Sequence, residues 1–179
     1  MKKITVIMLF LFAALTSNAQ IEKGKIQASG NFSITNIDNG NSEITIFNLT
    51  PQAGLFLNDH MSLGLVLGYQ SSGNSTAKQK TFNYGLFSRF FKPIADKFYF
   101  FAQPQIIFGS GETGSGEDIS SFNIGIRPGL SYFPSNRISM DLSVQGLAFD
   151  QYESGNIEQS TTSFSFSPSN VSLGVSFLF

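Results

Sequence analysis

The chain has 179 residues, with 12 acidic and 11 basic side chains, one histidine, no cysteine, no tryptophan and 20 phenylalanines. Charged residues make up 13% of it, against about 25% in an ordinary soluble domain, so the charged coat of a water-soluble protein is thin. The absence of cysteine excludes disulfide staples and thiolate metal sites, and a net charge of −1 without a basic patch argues against a nucleic-acid partner.

The opening MKKITVIMLFLFAALTSNAQ places Lys2 and Lys3 before an uncharged run from Ile4 to Leu15, then the small residues Ser17-Asn18-Ala19. This is the pattern of a secretory signal peptide spanning 1–19. The run is shorter than the roughly 18 apolar residues a membrane-spanning helix needs. Residues 20–179 then form a single domain.

After the signal, apolar and polar residues alternate with period two, the signature of strands. In KIQASGNFSIT, Ile26, Ala28, Gly30, Phe32 and Ile34 share one phase and Gln27, Ser29, Asn31 and Ser33 the other. IFNLTPQAGLFL and MSLGLVLGYQ repeat the pattern on either side of Asn58-Asp59-His60. TFNYGLFSRFF and FYFFAQPQIIF flank a turn around Pro93, the second being apolar on both phases at its start. SFNIGIRPGLSYF and ISMDLSVQGLAF flank Pro134 to Arg137, and NVSLGVSFLF closes the series at eight strands. The remaining connections, Asn36–Glu43, Ser71–Lys80, Ser110–Asp118 and Asp150 to about Ser163, are longer and polar. The third contains the low-complexity GSGETGSGED and is expected to be flexible. Strict alternation of short and long connections predicts an all-β, eight-stranded antiparallel up-and-down barrel. Pro51, Pro104 and Pro128 lack a ladder donor, so bulges or bends are expected there.

Alternation alone fits two barrels: a soluble lipocalin-like one, apolar inside and binding an apolar ligand, or a transmembrane one, apolar outside. The second phase consists of Ser, Asn, Gln and Gly rather than the Lys and Glu of a water-facing sheet. The apolar phase runs for about nine to eleven residues, the length of a tilted transmembrane strand. Tyr69, Tyr84, Phe90, Phe98 and Tyr132 stand at strand ends, where aromatic girdles belong. These features select the transmembrane barrel, polar inside.

Chemistry has few places to reside. His60 sits in a short turn beside Asp59 and has no partner set for acid–base or nucleophilic catalysis; no catalytic, cofactor-binding or metal-binding residues are expected. Arg89, Arg127 and Asp141 fall on the polar phase within strands and are expected to form a lumen charge network. Arg127 and Asp141 lie on adjacent strands and should pair, with Arg89 reaching towards Asp141; such charges must pair or face water. The network reads as a structural device or as the gate of a narrow pore for ions or small solutes. The long connections carry Asp38, Glu43, Glu112, Glu117, Asp118, Asp150, Glu153 and Glu158 against Lys78 and Lys80. That acidic rim is solvated, or it recruits cations or a basic partner.

The stretches TPQAGLFLNDHMSLGLVLGY, FNYGLFSRFFKPIADKFYFFAQ and the terminal SLGVSFLF, behind an export signal, give the chain its family likeness. It resembles the small outer-membrane β-barrel domain family, the OmpA/OmpX-like eight-stranded group. The resemblance implies an integral, monomeric protein of the cell outer membrane, in contact with outer-membrane lipid, with both termini periplasmic. It implies that the terminal strand, through Val175, Phe177 and Phe179, is the signal read by the barrel-assembly machinery. The expected role is structural or interactive through acidic surface loops, without catalysis.

Overall fold

The computed structural model describes residues 21–38, 43–74, 78–155, 157–164 and 171–179, with the side chains of 31–33, 35, 37 and 43 left aside. The expected signal peptide, residues 1–19, lies outside the described residues. Ten strand segments follow in order: β1 (Ile26–Asp38), β2 (Glu43–Asn58), β3 (Met61–Gly73), β4 (Lys78–Ala95), β5 (Phe98–Glu112), β6 (Asp118–Ser135), β7 (Ile138–Val144), β8 (Leu147–Ser154), β9 (Ile157–Phe164) and β10 (Val171–Leu178). Each of β1 to β6 pairs antiparallel with the next. The far edge of β6 takes β7 and then β8. β8 pairs with β9 and β7 with β10. β10 returns to β1, Gln27 facing Leu178 and Gly30 facing Val175. β7 with β8, and β9 with β10, are therefore the halves of the seventh and eighth strands of an eight-stranded antiparallel barrel, closed through β1 and β10 in its short-turn half, whereas in the extended half β9 pairs with β8 and, among the described residues, with no second strand.

The break between β7 and β8 has a physical cause. Gly129 faces Ser143, whereas Ile126 faces Leu147, so residues 127–128 of β6 oppose three residues, 144–146. The extra residue is a bulge, and it reverses the inward phase from odd (Ser139, Asp141) to even (Ala148, Ser154). Pro128 lies opposite it. A Cβ on Gly146 would stand 2.5 Å from the Ile126 carbonyl oxygen and 2.8 Å from Pro128 Cδ, so only glycine lets the two chains approach here. The expectation of irregularity at Pro128 is met on the partner strand. At Pro51 and Pro104 the register is not shifted, but the ladder lapses on the other edge of each strand, β2 skipping Thr50 and Pro51 against β3 and β5 skipping Gln103 and Pro104 against β4. The other shifts fall beside the short turns, at Phe56/Asn58, Pro93/Ala95 and Tyr132/Ser135.

The expected long loops are also corrected. β5 and β6 run out to Glu112 and Asp118, which face each other. Their five-residue connection, which contains half of the low-complexity stretch, is a hydrogen-bonded turn: Thr113 N–H donates to Glu117 O at 2.9 Å, and Glu117 N–H to Thr113 Oγ1 at 2.9 Å. Asp150 to Ser163 is a paired ribbon of β8 and β9. What distinguishes this rim is strand extension, because Ser, Thr and Gln keep the pleat going in water as readily as out of it.

The outward face is the apolar one. Leu63, Leu65, Leu67, Leu86, Ile106 and Leu142 are among its exposed large side chains. Aromatic pairs edge this band: Phe98 stacks on Tyr132 at 4.7 Å near the short turns, and Tyr84 on Phe108 at 5.9 Å towards the other rim. On β10, Val171, Leu173, Val175 and Phe177 point outward, while Ser176 and Leu178 are buried.

Candidate functional site

The site is the lumen, and it is built in three layers. The layer nearest the short turns is apolar: Ile21, Phe56, Phe91, Phe101, Phe133 and Leu178 form one buried cluster, with Tyr99 packed against it. Phe91 is the hub, its ring 5.5 Å from Phe56, 6.1 Å from Phe101 and 6.3 Å from Phe133. Phe56, Phe101 and Phe133 are each only 1% exposed, so this layer closes the barrel. The expectation of a polar lumen is thus corrected at this end. These phenylalanines stand on the inward phase a few residues from the short turns, and FYFFAQ, apolar on both phases, was the sequence signal for them.

Above the aromatic floor lies a charged belt. Arg89 on β4 donates through Nη1 to Asp141 Oδ2 on β7 at 2.7 Å, both side chains being buried. Its Nε and Nη2 donate to Gln103 Oε1 at 2.9 and 2.7 Å. Its guanidinium carbon stands 4.4 Å from the centroid of Phe101, a stacked cation–π contact. Asp141 also accepts from Ser131 at 2.7 Å, Ser139 at 3.3 Å and Ser176 at 3.1 Å, and Ser176 accepts from Gln27 Nε2 at 2.9 Å. Glycine makes room for the neighbouring Phe87: a Cβ on Gly64 would meet its ring at 2.6 Å and Gly54 Cα at 2.7 Å.

The expected Arg127–Asp141 pair is not formed; Arg89 takes Asp141 instead. The residue facing Asp141 across the ladder is Ser131, four positions and roughly 13 Å along the strand from Arg127. Arg127 instead donates through Nη2 to Ser143 Oγ at 3.3 Å. With Arg89 and Asp141 it lines a cavity of about 40 Å³, large enough for water.

The third layer is an open basin of about 870 Å³ reaching to the extended rim. Its wall mixes amides, Gln70, Gln79, Asn83, Gln105, Asn123, Gln145 and Gln151, with apolar side chains such as Ile107, Ile119, Leu147, Val171 and Leu173. A chain of hydrogen bonds climbs it, from Gln103 Nε2 to Gln105 Oε1 at 3.2 Å, Gln105 Nε2 to Asn123 Oδ1 at 3.3 Å and Asn123 Nδ2 to Asp150 Oδ1 at 2.6 Å. His60 is exposed in its turn, where its backbone N–H donates to Asn58 Oδ1 at 2.8 Å. Val175, Phe177 and Phe179 stand exposed on the outer face, and Phe179 and Ile26 exchange backbone hydrogen bonds at 2.9 and 3.0 Å.

The structure is similar to Neisserial surface protein A, with 18% identity over 87% of this chain and 96% of that one, at a TM-score of 0.46. It is likewise similar to the N-terminal β-barrel domain of Pseudomonas aeruginosa OprF, with 12% identity over 88% and 98%, at 0.46. No curated protein is significantly similar in sequence. The sequence itself matches the outer membrane protein β-barrel domain over residues 4–179. The chain belongs to the outer membrane protein β-barrel domain family.

Proposed function

We propose that this protein is a non-catalytic, non-conducting barrel that acts at the cell surface through its acidic extended rim. The observation that carries the reading is the charge pattern at the hairpin ends. Glu112 faces Asp118 and Glu153 faces Glu158 across the ladder, the first pair having Lys80 opposite Glu112 on its other side and the second being bridged by Gln151 Nε2, which donates to Glu153 and Glu158 at 3.1 and 3.3 Å. Like charges directly opposite one another destabilise a strand pair, and a cationic partner relieves that repulsion. The closed aromatic floor and the belt above it support a role without conduction, and a lone exposed His60 offers no general base placed against a nucleophile. In the same reading both termini are periplasmic, the mature protein is monomeric, and Val175, Phe177 and Phe179 form the assembly signal.

The test is adsorption of a small basic protein to cells displaying the barrel, against a variant carrying Glu112→Gln, Asp118→Asn, Glu153→Gln and Glu158→Gln. The reading expects adsorption that falls with added salt, as screening requires, and that the variant loses. Equal adsorption to both, at matched surface levels, refutes it.

A further inference from the structure

We propose that the basin is a binding cup for a short zwitterionic peptide, its carboxylate end on Arg127 and its ammonium end at Asp150. Among the described residues that line the basin, Arg127 and Asp150 are the two charged ones. Arg127 is the deepest of the β6 residues on this wall, and its hydrogen bond to Ser143 is long at 3.3 Å and uses one of five donors. The neighbouring Arg89 is already committed to Asp141 and Gln103, so the belt and Arg127 together carry one surplus positive charge. A guanidinium with donors to spare at the foot of an open basin is matched by a carboxylate, which it holds bidentately.

A simple anion fits poorly with the rest of the cup. Its mouth carries the acidic rim, and Asp150 stands on its wall opposite Asn123, an arrangement that repels a purely anionic solute on entry. A solute with both signs resolves the conflict. Asn123 is four residues from Arg127 along β6, so the backbone positions that carry the two charges lie roughly 13 Å apart along the strand direction. An extended tetrapeptide spans about that distance between its ends. The wall between them offers amides, each with a carbonyl acceptor and an NH₂ donor, which is the complement of a peptide backbone. The volume of about 870 Å³ lies in the ordinary range of ligand pockets, about 300–1,000 Å³.

The experiment titrates tetraglycine, its C-terminal amide and its N-acetyl form into the full protein purified from membranes in detergent. It is read by calorimetry and by the NMR signal of the Arg127 Nε–H. Expected is saturable binding at millimolar tetraglycine with a shift of that signal, weakened about tenfold or more by amidation and by Arg127→Gln, as loss of a charge-assisted pair requires. N-acetylation and Asp150→Asn should weaken it by a smaller factor. Arg127→Gln is compared only where its unboiled gel mobility shows a folded barrel, and Arg127→Lys, which keeps the charge but not the fork, should bind in between. Absence of saturable binding at millimolar tetraglycine overturns the proposal, as does equal binding of the amide. Undiminished binding of the N-acetyl form overturns the assignment of Asp150. None of these outcomes touches the rim adsorption, so the two readings fail separately.

Discussion

Asp141→Ala is the sharpest perturbation of the belt. The carboxylate accepts from Arg89, Ser131, Ser139 and Ser176, so its removal orphans three hydroxyls and leaves a buried guanidinium with Gln103 as its hydrogen-bonding partner. Breaking a buried ion pair from one side costs about 3–5 kcal/mol, because the surviving charge stays desolvated. Arg89 is 5% exposed, so that range applies rather than the about 0–1 kcal/mol of solvated pairs. Replacing both partners, with Arg89→Met and Asp141→Leu, removes the stranded charge and should recover most of the loss. Urea unfolding in lipid vesicles, followed by tyrosine fluorescence and by mobility on unboiled gels, measures both variants. A loss under about 1 kcal/mol for Asp141→Ala, or a double variant worse than the single one, refutes the claim that a buried pair holds this layer.

Two further outcomes follow from the outer face and the closing seam. Leu65 is 58% exposed within the apolar band, so Leu65→Arg should cost about 2–4 kcal/mol if it lies at the bilayer midplane; a neutral result in the same urea assay would remove it from lipid. Deleting Phe179 takes away one backbone pair with Ile26 and the terminal aromatic. The amount of folded barrel in the outer membrane should drop, and unchanged levels by quantitative blotting would count against the assembly signal.

The barrel was legible because period-two alternation states directly which side chains share a face, and the number of strands follows from the turns. Register is less visible. Arg127 and Asp141 sit on neighbouring strands, yet Asp141 faces Ser131, four positions along β6 from Arg127. Arg89 reaches Asp141 from β4 across a lumen narrow enough to be bridged by side chains, a contact that no sequence spacing encodes. The aromatic floor escaped a different rule: inward phase was equated with polarity, whereas Phe56, Phe91, Phe101 and Phe133 are inward and apolar. The polar hairpin ends read as loops because Ser, Thr and Gly are common to loops and to water-exposed strands, and only the pairing of β8 with β9 tells them apart.

The lumen opens as a basin on one side and is sealed by phenylalanines on the other. Planar-bilayer recording of the purified, folded protein reads that seal. With the aromatic floor in place, the bilayer stays silent, without stepwise conductance, as protein is added. Reproducible steps whose frequency rises with the amount of folded protein would contradict it.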